Sequence, residues 1–153
     1  IYFGRPIGDF GTAYTYRAMV ALVGLGANTV DVAIYPKTHT DAAGAALTGE
    51  KNYTIHFETL PPTLEGGFWS VTAYNEENFL IDNPIDRYCV NDRSAYRLNE
   101  DGTLDITLSK EAPENPSNWL PVSDGEFHLF MRIYLPDMAA LDTWQAPVIR
   151  VQE

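Results

Sequence analysis

The sequence predicts an all-β fold, an antiparallel jelly-roll-like β-sandwich with one helix at its N-terminal end and a short helix near its C-terminus. Three observations lead there. From Thr29 onward apolar residues recur at alternate positions, the period at which successive strand side chains face opposite ways. Turn-forming residues break these runs about every ten positions, the spacing of sandwiches and barrels. Helical spacing is confined to a stretch before Asn28 and a brief one after Pro136. The expected division is 1–28 for an N-terminal segment and linker helix, and 29–153 for the sandwich.

Taken in order, Thr12 to Leu25 sets Tyr16, Met19, Val20 and Val23 on one helical stripe, and Gly24 to Asn28 offers glycine for its end. That much apolar surface predicts a helix packed on the sandwich or on another copy. Asp41 to Gly44 and Gly49 to Asn52 read as turns. Tyr53, Ile55 and Phe57, then Trp69, Val71 and Ala73, then Leu104, Ile106 and Leu108 each alternate with polar or small residues and predict half-buried strands. Asn99 to Gly102 reads as a hairpin turn. The clearest strand runs from Glu126 to Leu135, with Phe127, Leu129, Met131, Ile133 and Leu135 on one face and a mixed face of His128, Phe130, Arg132 and Tyr134 on the other. Lys110 to Ser117 is a proline-bearing loop, Pro136 to Trp144 a short helix opened by proline and Asp137, and Pro147 to Gln152 a last strand.

A formal charge of −11, from 21 acidic and 10 basic residues, excludes a phosphate-binding surface of the kind nucleic acids need. Cys89 is the sole cysteine, so neither an intrachain disulfide nor a cysteine-based zinc site exists. No apolar run approaches the roughly 20 residues of a membrane span, and no membrane insertion is expected. The chain begins at Ile1 without a leader, as a processed product or a piece of something longer would. Asn52-Tyr53-Thr54 fits a glycosylation sequon, a tripeptide that also arises by chance.

Nine short motifs stand in a fixed order: Gly24 to Asn28, Tyr35-Pro36, Tyr53 to Phe57, Leu60-Pro61-Pro62, Phe68 to Tyr74, Asp82 to Arg93, Asn99 to Leu104, Asn118 to Pro121, and Arg132 to Pro136. In that order they closely resemble the family called domain of unknown function 1214. The resemblance implies a jelly-roll-like sandwich, frequently in exported proteins, so an extracellular or periplasmic location. It also implies that the domain often follows an N-terminal half, domain of unknown function 1254, with the helix before Gly24 resembling the linker. That partner is absent from this chain, and another copy is the other partner to expect.

Two clusters offer chemistry. Asp82 to Arg93 is the densest polar stretch; its arginines predict either ion pairs of Arg87 and Arg93 with acids of their own loop, or an anion site using Arg87, Asp92 and Arg93. His56, if its strand neighbours that of Arg132 and Tyr134, would complete an imidazole, guanidinium and phenol set suited to acid–base work on a small polar, sugar-like or phosphorylated ligand. That is the hydrolase alternative to a binding, structural or assembly module; a third alternative is a domain inactive without its missing half. Trp119, in a loop, is the better exposed of two candidate tryptophans for stacking on a ligand, with a packing anchor as its other and favoured reading, and Trp69 belongs to the core. His39, His56 and His128 lack paired spacing, so no metal is expected, and neither is any cofactor.

Overall fold

The computed structural model of the chain describes residues 7–152. Nine strands and two helices follow in the order α1 (Tyr14–Gly24), β1 (Ala33–Ile34), β2 (Lys37–Thr38), β3 (Tyr53–Phe57), β4 (Thr63–Asn75), β5 (Cys89–Asn91), β6 (Leu104–Ser109), β7 (Trp119–Pro121), β8 (Phe127–Pro136), α2 (Met138–Leu141) and β9 (Val148–Val151). They form two sheets. The first has the order β1-β8-β4-β5, with β2 also paired to β8; the second has the order β7-β6-β3-β9.

The alternation read from the sequence sets the core between these sheets. Tyr53, Ile55, Phe57, Leu104, Ile106 and Leu108 of the second sheet and Trp69, Val71, Leu129, Met131 and Ile133 of the first are all buried in one cluster. Aromatic edges cross the gap, Phe57 to Trp69 at 5.7 Å and Tyr53 to Phe127 at 5.9 Å between ring centroids. The odd-numbered residues of β3, of β4 from Trp69 to Ala73 and of β8 from Phe127 to Ile133 therefore point inward, and the even-numbered ones between them outward. In β4, Ser70 and Thr72 of the outward set are buried as well, so the middle of the first sheet is covered on both faces rather than half-buried.

Several local expectations meet a different outcome. Leu135 leaves the apolar stripe: its φ is +46° and its side chain is exposed. The pairing of β4 with β8 shifts register between Thr63 and Phe68, and the Leu135 amide donates to the Val32 carbonyl at 2.8 Å; a bulged edge breaks the period of two there. Asn99 to Gly102 is a tight turn, with Gly102 at φ +86°, yet residues 95–99 form no strand, so the turn feeds β6 without closing a hairpin. One pair is not antiparallel: β7 runs parallel to β6, which the long proline-bearing loop between them permits.

The first helix packs sparsely. Val20 is buried, whereas Tyr14, Met19 and Leu22 face out, and among the described residues no side chain caps the helix N-terminus. Tyr2 and Phe3, and the Val23 side chain, lie outside the described residues. The second helix starts where proline and aspartate predict: the Asp137 carboxylate accepts from the amides of Ala139 and Ala140, both at 3.1 Å.

Gly67 holds the bulge of β4 against β8. A Cβ there would lie 2.6 Å from the Tyr134 carbonyl oxygen and 2.9 Å from the Thr63 Cβ. Gly67→Ala is expected to cost roughly 2 kcal/mol through backbone displacement. Urea unfolding checks this, and a midpoint equal to that of the unaltered protein would show that the bulge yields freely.

Candidate functional site

The outer face of the first sheet gathers an aromatic and cationic surface that strand pairing explains residue by residue. On β8 the outward residues are His128, Phe130, Arg132 and Tyr134; opposite them on β4 stand Tyr74, Thr72, Ser70 and Phe68. The other neighbour, β2, sets Lys37 beside Phe130. Tyr35 and His39 flank Lys37 at the same alternate spacing.

Arg132 donates through Nη2 to the Tyr74 hydroxyl at 2.9 Å and through Nη1 to the Thr72 hydroxyl at 3.3 Å. Its guanidinium lies 5.3 Å from the Phe130 ring and 5.7 Å from that of Tyr74, while the Lys37 ammonium lies 5.1 Å from the same Phe130 ring. These are cation–π distances. Both cations are partly buried, and among the described residues neither has a carboxylate within 4.0 Å. Further along β8, Tyr134 stacks on Phe68 at 4.4 Å and meets Tyr35 edge-on at 6.2 Å. Asn28 donates to the Tyr35 hydroxyl at 2.8 Å. Burial, then the neighbouring Tyr35, holds the Tyr134 phenol protonated against the opposing pull of Arg132.

Between this face and α1 lies a cavity of about 730 Å³, within the usual range for small-molecule sites. Arg132, Lys37, Tyr134 and Phe130 line its sheet side, and Val20 and Leu25 its helix side.

At the far end of β8, His128 is only 2% exposed. Its ring stacks between His39, 4.8 Å away, and Tyr74, 5.7 Å away, and its Nε2 meets no hydrogen-bond partner among the described residues. Burial first, then Lys37 and His39, drive its pKa down to about 4. His39 is lowered as well, by burial and Lys37 and against Glu126.

The residues singled out from sequence are not one constellation. Arg132 and Tyr134 share the cavity, whereas His56 sits on the outer face of the other sheet, paired with Asp105 of β6. There its Nδ1 lies 2.7 Å from the Asp105 carboxylate and its Nε2 3.4 Å from Glu58. The hydrogen bond to Asp105 is the main reason its pKa is raised. Arg87 and Arg93 do not form the expected ion pairs. Arg87 turns Nη1 to three backbone carbonyls, Pro116 at 2.8 Å, Ser117 at 3.2 Å and Trp119 at 2.9 Å, because the carbonyls of an irregular loop need donors that exposed acids do not. Asp82, Asp86 and Asp92 stay exposed. Arg93 is exposed over the Phe68 ring at 5.5 Å and so borders the outer face. Trp119 is buried, its indole N–H donating to the Ser109 carbonyl at 3.0 Å, so it cannot stack on a ligand. Sequence reading missed Lys37, Tyr35, Phe68 and Tyr74; the alternation of Tyr35, Lys37 and His39 was the available signal.

Fold and site together define an all-β sandwich domain with cations seated on an aromatic outer face. A family model described as protein of unknown function, DUF1214, matches residues 32–138, and the chain belongs to that family. Among solved structures it is similar to the VPA0106 protein of Vibrio parahaemolyticus, with 30% identity, a TM-score of 0.76, and coverage of 90% of this chain and 35% of that one. A putative uncharacterized protein from Burkholderia cenocepacia shares the fold at 20% identity and a TM-score of 0.59, covering 89% of this chain and 32% of that one. The chain thus spans about a third of each solved chain. No curated protein matches it.

Two histidines give opposite pH signatures. For His128 the folded pKa lies below the unfolded value, so between about 4 and 6.5 the unfolded chain binds the extra proton and stability falls as pH falls, by roughly 3 kcal/mol in all. His128→Phe keeps the aromatic stack and is expected to lose less stability between pH 7 and pH 4.5, measured by urea unfolding at both; an unchanged loss would clear His128. For His56 the raised pKa gives a contribution that is full below the unfolded value of 6.5 and disappears as pH rises through the folded one. Asp105→Asn should lower the His56 midpoint in an NMR titration.

Proposed function

We propose that this domain is a binding module that captures a small organic anion in the cavity between α1 and the first sheet. One observation carries the reading: Lys37 and Arg132 are partly buried at the cavity wall without a carboxylate partner among the described residues. In a chain with twice as many acids as bases, an acid at this wall would neutralise them at no compositional cost, and a partly buried cation left unanswered is a natural counter-ion site. Phe130 and Tyr74 hold the guanidinium plane against the sheet, so little freedom is lost when an anion arrives.

The test is calorimetric titration with 2-naphthalenesulfonate, a compact aromatic anion. Saturable binding is expected at one site per chain, weakened about tenfold by Arg132→Gln, in line with a charged hydrogen bond of ~1.5–3 kcal/mol. No binding, or equal affinity for both proteins, would remove the site.

A second reading draws on α1. Leu22 and Leu25 are 86% and 87% exposed, an apolar surface beyond what a lone helix end displays to water. In this reading the helix is an assembly surface covered by another copy or by a further domain. Light scattering should give a native mass above that of one chain, and Leu22→Glu should return it to one; a single-chain mass throughout would rule out the copy.

A further inference from the structure

Resting on the reading of the cavity as an anion site, we infer that its occupant is a medium-chain fatty carboxylate, with the acyl chain along β8 beneath α1 and the carboxylate at Lys37 and Arg132. The shape of the lining comes first. Along the sheet the cavity runs from Ala33 and Tyr134 to Lys37 and Phe130, four residues of β8 in the observed register, or about 13 Å at the rise of a strand. That span sets the length open to a ligand lying along β8.

Polarity is distributed unevenly along it. Ile7 ahead of α1, Val20 within it, Leu25 and Val30 after it, Ala33 of β1 and Pro36 just beyond β1 supply an aliphatic wall. The two cations, by contrast, flank one ring, Phe130, at 5.1 and 5.3 Å. Of the five guanidinium N–H donors of Arg132, the observed bonds go to Thr72 and Tyr74, and a carboxylate accepts two of the others side by side. A compact anion would answer the cations and leave the aliphatic wall wet; a neutral chain would cover the wall and leave the cations unanswered. A chain ending in a carboxylate satisfies both, because its methylenes leave water for the aliphatic wall.

Titration of the full chain with decanoate, butyrate and decanol tests this. Decanoate is expected to bind at one site per chain, with butyrate and decanol each at least tenfold weaker. Lys37→Gln and Arg132→Gln should each weaken decanoate about tenfold with an unchanged circular dichroism spectrum. Should either variant fail to fold, the unaltered protein still decides: decanoate must shift the NMR methyl signals of Val20, Val30 and Ala33. If 2-naphthalenesulfonate binds through Arg132 but decanoate does not, the acyl inference falls and the anion site stands. If neither binds, both fall. Decanoate binding without those methyl shifts, or indifferent to both substitutions, would overturn the cavity as its seat.

Discussion

The pairing of β4 with β8 is the constraint on which the rest depends. Eight consecutive residues, Phe68 to Asn75, oppose Tyr134 to Phe127, and side chains alternate strictly across that ladder. A slip of one residue would turn Trp69, Val71 and Ala73 out of the core and bring Ser70 and Thr72 into it. The same slip would separate Arg132 from Tyr74 and Tyr134 from Phe68. One register therefore fixes both the packing of the sandwich and the geometry of its outer face, and the apolar core supplies the free energy that holds the polar arrangement in place.

The electrostatics follow from that division. Inside, aliphatic and aromatic side chains fill the space between the sheets. Outside, the two sheets differ in kind. The second carries His56 between two carboxylates, a hydrogen-bonded group that water can reach. The first carries cations on aromatic rings under a helix, where they meet π-faces and hydroxyls and, among the described residues, no carboxylate. Burial of His128 at the end of this face extends the same theme, since an imidazole stacked between two rings beside Lys37 gains nothing from a proton.

Much of the architecture was legible in the sequence, because the informative signals are local. The strands at Tyr53, Trp69, Leu104 and Phe127, the Asp137 cap and the Gly102 turn rest on periodicity and turn chemistry within a few residues. What escaped reading is non-local. β1 and β2 are two residues each, too short to stand out as strands on their own, and with the residues between them they bring Tyr35 and Lys37 to the site. Arg87 finds its carbonyls 29 to 32 positions away, so the acids beside it in sequence were misleading neighbours. Trp119 stands after a loop but inside a strand that seals the edge of the second sheet.

By itself the sequence determined the family, the sandwich, and, Leu135 apart, which of the residues read as alternating in the long strands face the core, since side-chain period and turn preference are properties of short segments. Only the tertiary structure decided which outward faces belong together. Strands are joined by backbone hydrogen bonds that carry no side-chain identity, so the order β1-β8-β4-β5, and with it the meeting of Lys37, Arg132 and Tyr74 and the exile of His56 to the opposite sheet, is settled by how the whole core packs.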